Sequence, residues 1–263
     1  MSFILIYLAL GMFAGILAGM LGVGGGIVVV PALLWIFKHQ GFEGEIITHL
    51  AIGTSLSAIV FTSLSAIWAQ HKRAAIDWAV VRQLAPATLL GGLISGYLAG
   101  FVGGATLKMA FSIFLLLVSI QLLANWQVSP HWKIPGRMGL WLAGLAIGSI
   151  SAMMGIGGGT ITVPFLHACN VEMRRAIAIS TTLGFPIALF GGAGFVLTGW
   201  GHPGLPPGSL GYLFLPALLA ITVPAILTAP LGVRLAHHLP VKALKRVFGA
   251  IVLVVSIRLL SGG

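Results

Sequence analysis

Long apolar blocks separated by short polar stretches make up this chain. The first block extends from about Phe3 to Leu21, stops at a cluster of glycines, and resumes as Ile27–Phe37. That second piece would make only about 16 Å of helix, half a bilayer. The polar stretch Lys38–Glu45 follows, then three long blocks near Ile46–Gln70, Trp78–Val102 and Ala105–Ala124. Beyond a linker holding Asn125, Pro130, His131, Lys133, Pro135 and Arg137, the pattern starts again. Met138–Met154 leads to a second glycine cluster, a short Thr160–Cys169 segment, and blocks near Arg175–Thr198, Leu210–Leu235 and Val241–Leu260. A helix needs roughly 20 apolar residues to cross a bilayer, so the pattern predicts an all-α polytopic membrane protein with about eight spans, or ten counting half-helices.

The recurrence is written in residues as well as in hydropathy. Gly15 to Pro31 reads GILAGMLGVGGGIVVVP and Gly148 to Pro164 reads GSISAMMGIGGGTITVP, a constant offset of 133 with eight of seventeen positions identical. Ala51-Ile52-Gly53-Thr54-Ser55-Leu56 resembles Ala178-Ile179-Ser180-Thr181-Thr182-Leu183. Leu107-Lys108 with Phe111 matches Leu244-Lys245 with Phe248, and Ser119–Leu123 matches Ser256–Leu260. Their shared order points to duplication: a transmembrane repeat over 1–125, a cytoplasmic linker over 126–137, and a second repeat over 138–263.

Charge relates the halves to each other. If each glycine-broken unit is a hairpin, three further crossings per half invert the second repeat. Lys72, Arg73, Arg82, Lys133, Arg137, Arg174, Arg175, Arg234, Lys242, Lys245 and Arg246 then share one face, against Lys38, Lys108 and Arg258 on the other, a split of 11 to 3. Single crossings would give parallel halves and a split of 8 to 6. Cytoplasmic loops collect Lys and Arg, which favours two inverted repeats, each a broken hairpin plus three transmembrane helices, with both termini outside. Short pieces that truly cross give the same loop sides, so charge does not separate hairpins from ten spans.

Composition agrees: 58% hydrophobic, 7% charged, mean hydropathy +1.09. The net charge of +10 sits between spans, where membrane topology accounts for it, so nucleic acid is not an expected partner. The lone Cys169 excludes an intramolecular disulfide, and no Cys/His cluster has metal-ligand spacing, so no cofactor or metal is expected. No Lys or Arg precedes the first block, which is therefore read as a retained span rather than a cleaved signal.

Glycines clustered inside an apolar segment cost backbone entropy and leave amides that lipid cannot satisfy. Close helix packing through small residues is one use for glycine, but it needs spacings of four, not three in a row before a short helix. The other use is a broken helix near the midplane. Gly24, Gly25, Gly26 and Gly157, Gly158, Gly159 would then offer N–H groups, and the helices starting at Ile27 and Thr160 would aim their positive ends inward at an anion. No Lys-Ser/Thr follows the glycines, as a phosphate loop requires, and no soluble βαβ unit surrounds them. Thr54, Ser55, Thr181 and Thr182 lie in apolar spans at matching places; such hydroxyls either bond back to their own helix or donate to substrate oxygens.

Glu43, Glu45, Asp77 and Glu172 all fall in loops or at span ends, so proton coupling through a buried carboxylate is not expected. His49 and His167 read as interfacial, and Arg258 as a residue that snorkels outward. The seven tryptophans mostly fall near predicted span ends, as an aromatic belt would.

The GxGGG-x4-P motif in both halves, the A-x-x-T-[ST]-L element after each, and the length and span count together resemble the sulfite exporter TauE/SafE family of anion permeases. The resemblance covers essentially the whole chain. It implies plasma-membrane transport (the inner membrane, in a bacterium) of small sulfur oxyanions or organosulfonates such as sulfite or sulfoacetate. Gly53 stands where the second half has Ser180, which makes the half-sites chemically unequal. An anion channel is the alternative. An intramembrane enzyme would need a nucleophile–base pair, and Cys169 and His167, two apart on a helix, point to different faces. The expected partners are a small anionic substrate and the lipid bilayer; oligomeric state, direction of transport and coupling ion stay open.

Overall fold

A computed structural model describes residues 2–22, 24–42, 44–124, 133–235 and 241–261, with side chains of 2, 21 and 241–247 outside that description. The expected linker, 126–137, falls largely outside the described residues. Ten α-helices form among the described residues: α1 Ser2–Leu21, α2 Gly26–His39, α3 Ile46–His71, α4 Trp78–Ala99, α5 Gly104–Leu123, α6 Arg137–Met153, α7 Gly159–Ala168, α8 Met173–Thr198, α9 Leu215–Leu235 and α10 Val241–Leu260. Of these, α1, α3, α5, α8 and α9 are long and apolar enough to cross a membrane. The chain is thus a multi-pass membrane protein.

The helix boundaries depart most from expectation at the ninth helix; α4 also ends at Ala99 rather than Val102, and α2 runs on to His39. The ninth helix begins at Leu215, not Leu210. Gly211 adopts φ +55°, and Ser209 bridges to Phe214, so 209–214 folds into a tight turn before the helix starts. Tyr212, Leu213 and Phe214 are buried, so this turn plugs one end of the bundle. Apolarity alone could not distinguish it from helix.

Glycines on a four-residue period set the helix contacts. Gly11, Gly15 and Gly19 of α1 press against the backbone at Ile221, Ala225 and Ala229 of α9, in rising order, so the two helices run parallel. Gly144 and Gly148 of α6 meet Ala87 and Thr88 of α4, again parallel. Small side chains permit this approach, which dispersion forces and close backbones reward where no hydrophobic effect acts between helices. Gly92 and Gly96 of α4 pack on Ile187 and Gly191 of α8, in parallel, whereas Gly53 of α3 meets Phe195 and Gly192 of α8 meets Leu56, in opposition. Ser65 of α3 donates to the Ile226 carbonyl, and Thr54 bonds Phe214 just before α9, so α3 and α9 are parallel.

Two sets therefore emerge: α1, α3 and α9 run one way, and α4, α6 and α8 the other. The main pairings are kept when α1–α5 are exchanged for α6–α10, since α1·α9 corresponds to α6·α4, and α3·α8 and α5·α10 map onto themselves; the smaller α3·α5 and α2·α10 contacts have no comparable counterpart among the described residues. The short helices double back. Tyr7 Oη, near the start of α1, donates to Gln40 Oε1, just past the end of α2, at 3.0 Å. Helix α7 begins beside Ile187, midway along α8, and the chain then enters α8 at Met173.

Candidate anion site at the two glycine breaks

Each short helix starts from a glycine in the left-handed region. Gly25 has φ 75° and ψ −12° as N-cap of α2; Gly158 has φ 79° and ψ −14° as N-cap of α7. A side chain is strained there, which is why glycine stands at both positions. The Gly25 carbonyl accepts from the N–H groups of Val28 and Val29, and that of Gly158 from Ile161 and Thr162. Neither cap carries a side-chain hydrogen bond, so the opening amides of both helices have no partner from a capping side chain.

The breaks meet. A methyl group on Gly24 would lie 3.0 Å from Gly157 Cα and 3.2 Å from Ile59, halfway along α3, while Gly184, halfway along α8, faces the Gly157 carbonyl. Gly26 lies against Gly155 and Ile156, and Gly159 opens α7. Between the breaks is a cavity of about 10 Å³ bordered by Gly22, Gly24, Gly157, Gly184, Thr181 and Ser63. That is room for about one water, so a tetrahedral oxyanion needs the breaks to part.

Hydroxyls from the long helices tie the breaks down across the repeats. Ser55 of α3 donates to the Gly155 carbonyl at 2.9 Å, and Ser180 of α8 donates to the Gly22 carbonyl at 3.1 Å. Each break is thus held by the other repeat's partner helix. Thr54 points elsewhere: its hydroxyl accepts the Phe214 N–H at 3.0 Å and anchors the plug. Thr181 and Thr182 donate back to Ile177 and Ala178 in their own helix. Thr181 still borders the small cavity; Thr182 does not. Gly53, opposite Ser180 in the repeat alignment, gives way to the Tyr212 carbonyl.

Three residues outside the sequence expectation cluster at the second break. Ser151, Thr160 and Thr162 are buried hydroxyls without a hydrogen-bond partner. Ser151 and Thr162 are fully buried, with Oγ atoms 3.6 and 3.5 Å from where a Gly158 side chain would begin. An orphan hydroxyl costs about 1–3 kcal/mol, so three around one helix N-terminus demand a partner. The signal was present in the repeat alignment: at the offset of 133, they replace Ala18, Ile27 and Val29 of the first repeat.

Ser209 and Thr222, away from the breaks, also carry buried hydroxyls without a partner, whereas several other polar residues hold structure. Asp77 accepts from the N–H groups of Ala79 and Val80 and caps α4, and Glu45 accepts from the Gly104 N–H at 2.9 Å and caps α5. His49, expected at an interface, is buried; its Nε2 bonds the Val102 carbonyl at 2.9 Å and its ring stacks on Tyr212. Glu43 falls outside the described residues. Among those described, no cluster of three His, Cys, Asp or Glu could hold a metal ion.

Known proteins match this chain along its length. The model of the family described as "Sulfite exporter TauE/SafE" matches residues 7–259. A "Probable membrane transporter protein" of Haemophilus influenzae is 35% identical over 98% of each chain. A probable membrane transporter protein of Methanocaldococcus jannaschii is 29% identical over 92% of this chain and 89% of its own.

Proposed function

The chain belongs to the sulfite exporter TauE/SafE family of membrane transporters, and from that membership we propose that it carries a small sulfur oxyanion or organosulfonate, such as sulfite or sulfoacetate. The observation that carries this reading is the meeting of Gly24 and Gly157 between the midpoints of α3 and α8. Two helix N-termini start beside that contact, and their dipoles and opening amides suit an anion without a fixed cation. The binding groups are the amides at Gly24–Gly26 and Gly157–Gly159, joined on the second side by the hydroxyls of Ser151, Thr160 and Thr162 and flanked by Thr181. A sulfonate or sulfite offers several acceptor oxygens to such a ring of donors. Ser55, Ser180 and Thr54 hold the frame.

The two halves act as inverted repeats. What supports this is direction: α1 opposes α6, α3 opposes α8, and α4 opposes α9, with the same main pairings in both halves. Exchange of the two repeats' conformations would open the closed cavity first to one side and then to the other. The hydroxyls of the second break make the site unequal, so the anion rests nearer α7 than α2.

Flux into liposomes holding the purified protein tests the reading, with sulfite, sulfate, thiosulfate, sulfoacetate and acetate offered in turn. Saturable flux of sulfite or a sulfonate, lost in Gly158→Val, is the expected result. Flux that rises linearly with concentration indicates a channel, and no flux of any sulfur anion overturns the substrate assignment.

A further inference from the structure

A second cavity, of about 790 Å³, runs along α2 from the first glycine break, at Ile27 and Val28, between α2, the start of α3, the start of α5 and the end of α10. Its walls are apolar, with Ile27 and Trp35 from α2 facing Ile251 and Val255 from α10. Its rim carries Lys38, Lys108 and Arg258, which come from three different helices. Glu45 is at the same rim, where its carboxylate is occupied in capping Gly104. Trp35 and Ile251 are exposed, so the cavity opens sideways, where hydrocarbon would be.

The dimensions select an occupant. Lys38 and Ile27 are eleven residues apart on one helix, about 16 Å, close to half the thickness of a bilayer's hydrocarbon core. The cavity is therefore cationic at the membrane surface and apolar to the depth at which a leaflet ends. Apart from the three cations, these walls offer a small oxyanion few side-chain donors, among them those of Thr48 and His39. A molecule with an acidic head and an apolar tail matches both ends. We propose that this cavity binds an anionic phospholipid, with its phosphate at Lys38, Lys108 and Arg258 and one acyl chain between α2 and α10. The cavity's inner end adjoins the first glycine break at Ile27, and filling it would brace the α5–α10 pair against α2.

Native mass spectrometry of the full-length protein, titrated with dioleoylphosphatidylglycerol or dioleoylphosphatidylcholine, tests the assignment. One phosphatidylglycerol should bind about tenfold or more tightly than phosphatidylcholine, because each Lys or Arg near an anionic head contributes independently. The triple variant Lys38→Gln, Lys108→Gln, Arg258→Gln should lose that preference. Val255→Trp, which fills the tail groove and keeps all three cations, should lose it too. Glycerol 1-phosphate, the head without the tail, should not compete. Equal binding of the two lipids to the unaltered protein overturns the proposal, and that comparison needs no variant to fold. Competition by glycerol 1-phosphate at lipid-like concentration makes this a free-phosphate site instead, and preference retained in either variant places the lipid elsewhere.

Discussion

Gly24 and Gly157, 133 residues apart in sequence, touch: a methyl group on the first would come within 3.0 Å of the Cα of the second. Nothing larger than hydrogen fits at this crossing while the protein is closed. The contact joins the two copies of one motif.

Glycines of two kinds should respond differently to substitution. Gly25→Val and Gly158→Val put a branched side chain at φ 75° and 79°, so transport should be lost in protein that still inserts. Gly15→Leu, by contrast, drives a side chain into the Ala225 backbone of α9 and should lower stability and yield. Substrate affinity measured on monodisperse protein separates them. Unaltered affinity in both valine variants would end the paired-break reading.

Removing an orphan hydroxyl should help folding and harm binding. Ser151→Ala and Thr162→Val delete buried groups without partners, so thermal stability should hold or rise. If each donates to a charged substrate, affinity should fall by about 1.5–3 kcal/mol, roughly ten- to a hundredfold. Thr182→Val, whose hydroxyl bonds Ala178 in its own helix, serves as the comparison. Isothermal titration on the three variants would expose a purely structural role as unchanged affinity throughout.

Thr54→Val should do the reverse. It removes the acceptor of the Phe214 N–H and leaves that amide buried, at a cost of about 1–3 kcal/mol. Detergent-solubilised protein should melt earlier, with substrate affinity little changed. A large loss of affinity at full stability would instead place Thr54 on the substrate.

Asp77 and Glu45 cap helices with their carboxylates, so coupling should survive their neutralisation. Asp77→Asn keeps a competent N-cap and should transport normally, while Asp77→Ala should cost about 1 kcal/mol of stability. Counter-flow of protons followed with a pH-sensitive dye decides the matter; abolished coupling in a folded Asp77→Asn protein would contradict it.

Sidedness can be read by labelling. Helices α3 and α9 end where α4, α6 and α8 begin, and Lys72, Arg73, Arg137, Arg174, Arg175 and Arg234 gather there, whereas Lys38, Lys108 and Arg258 rim one cavity elsewhere. In a Cys169→Ser background, cysteines at 72 and 242 should react from the same, cytoplasmic side. Labelling from opposite sides would rule out the inverted arrangement.

The sequence by itself determined the helices, because a bilayer forces each apolar block of sufficient length to satisfy its own backbone. It also marked the breaks, since only glycine enters the conformations of Gly25 and Gly158 at little cost. Tertiary structure alone decided which hydroxyls are spent and which are available. Thr54, Ser55, Thr181 and Thr182 look alike in their spans, yet one holds the Phe214 amide, one holds the Gly155 carbonyl, and two bond their own helix. The repeat alignment marks Ser151 and Thr162 as polar where the first repeat is apolar, but only the fold shows them buried without partners beside Gly158. A hydroxyl's role depends on what lies within about 3 Å of it. That is fixed by which helices cross, and apolar composition does not encode the crossing.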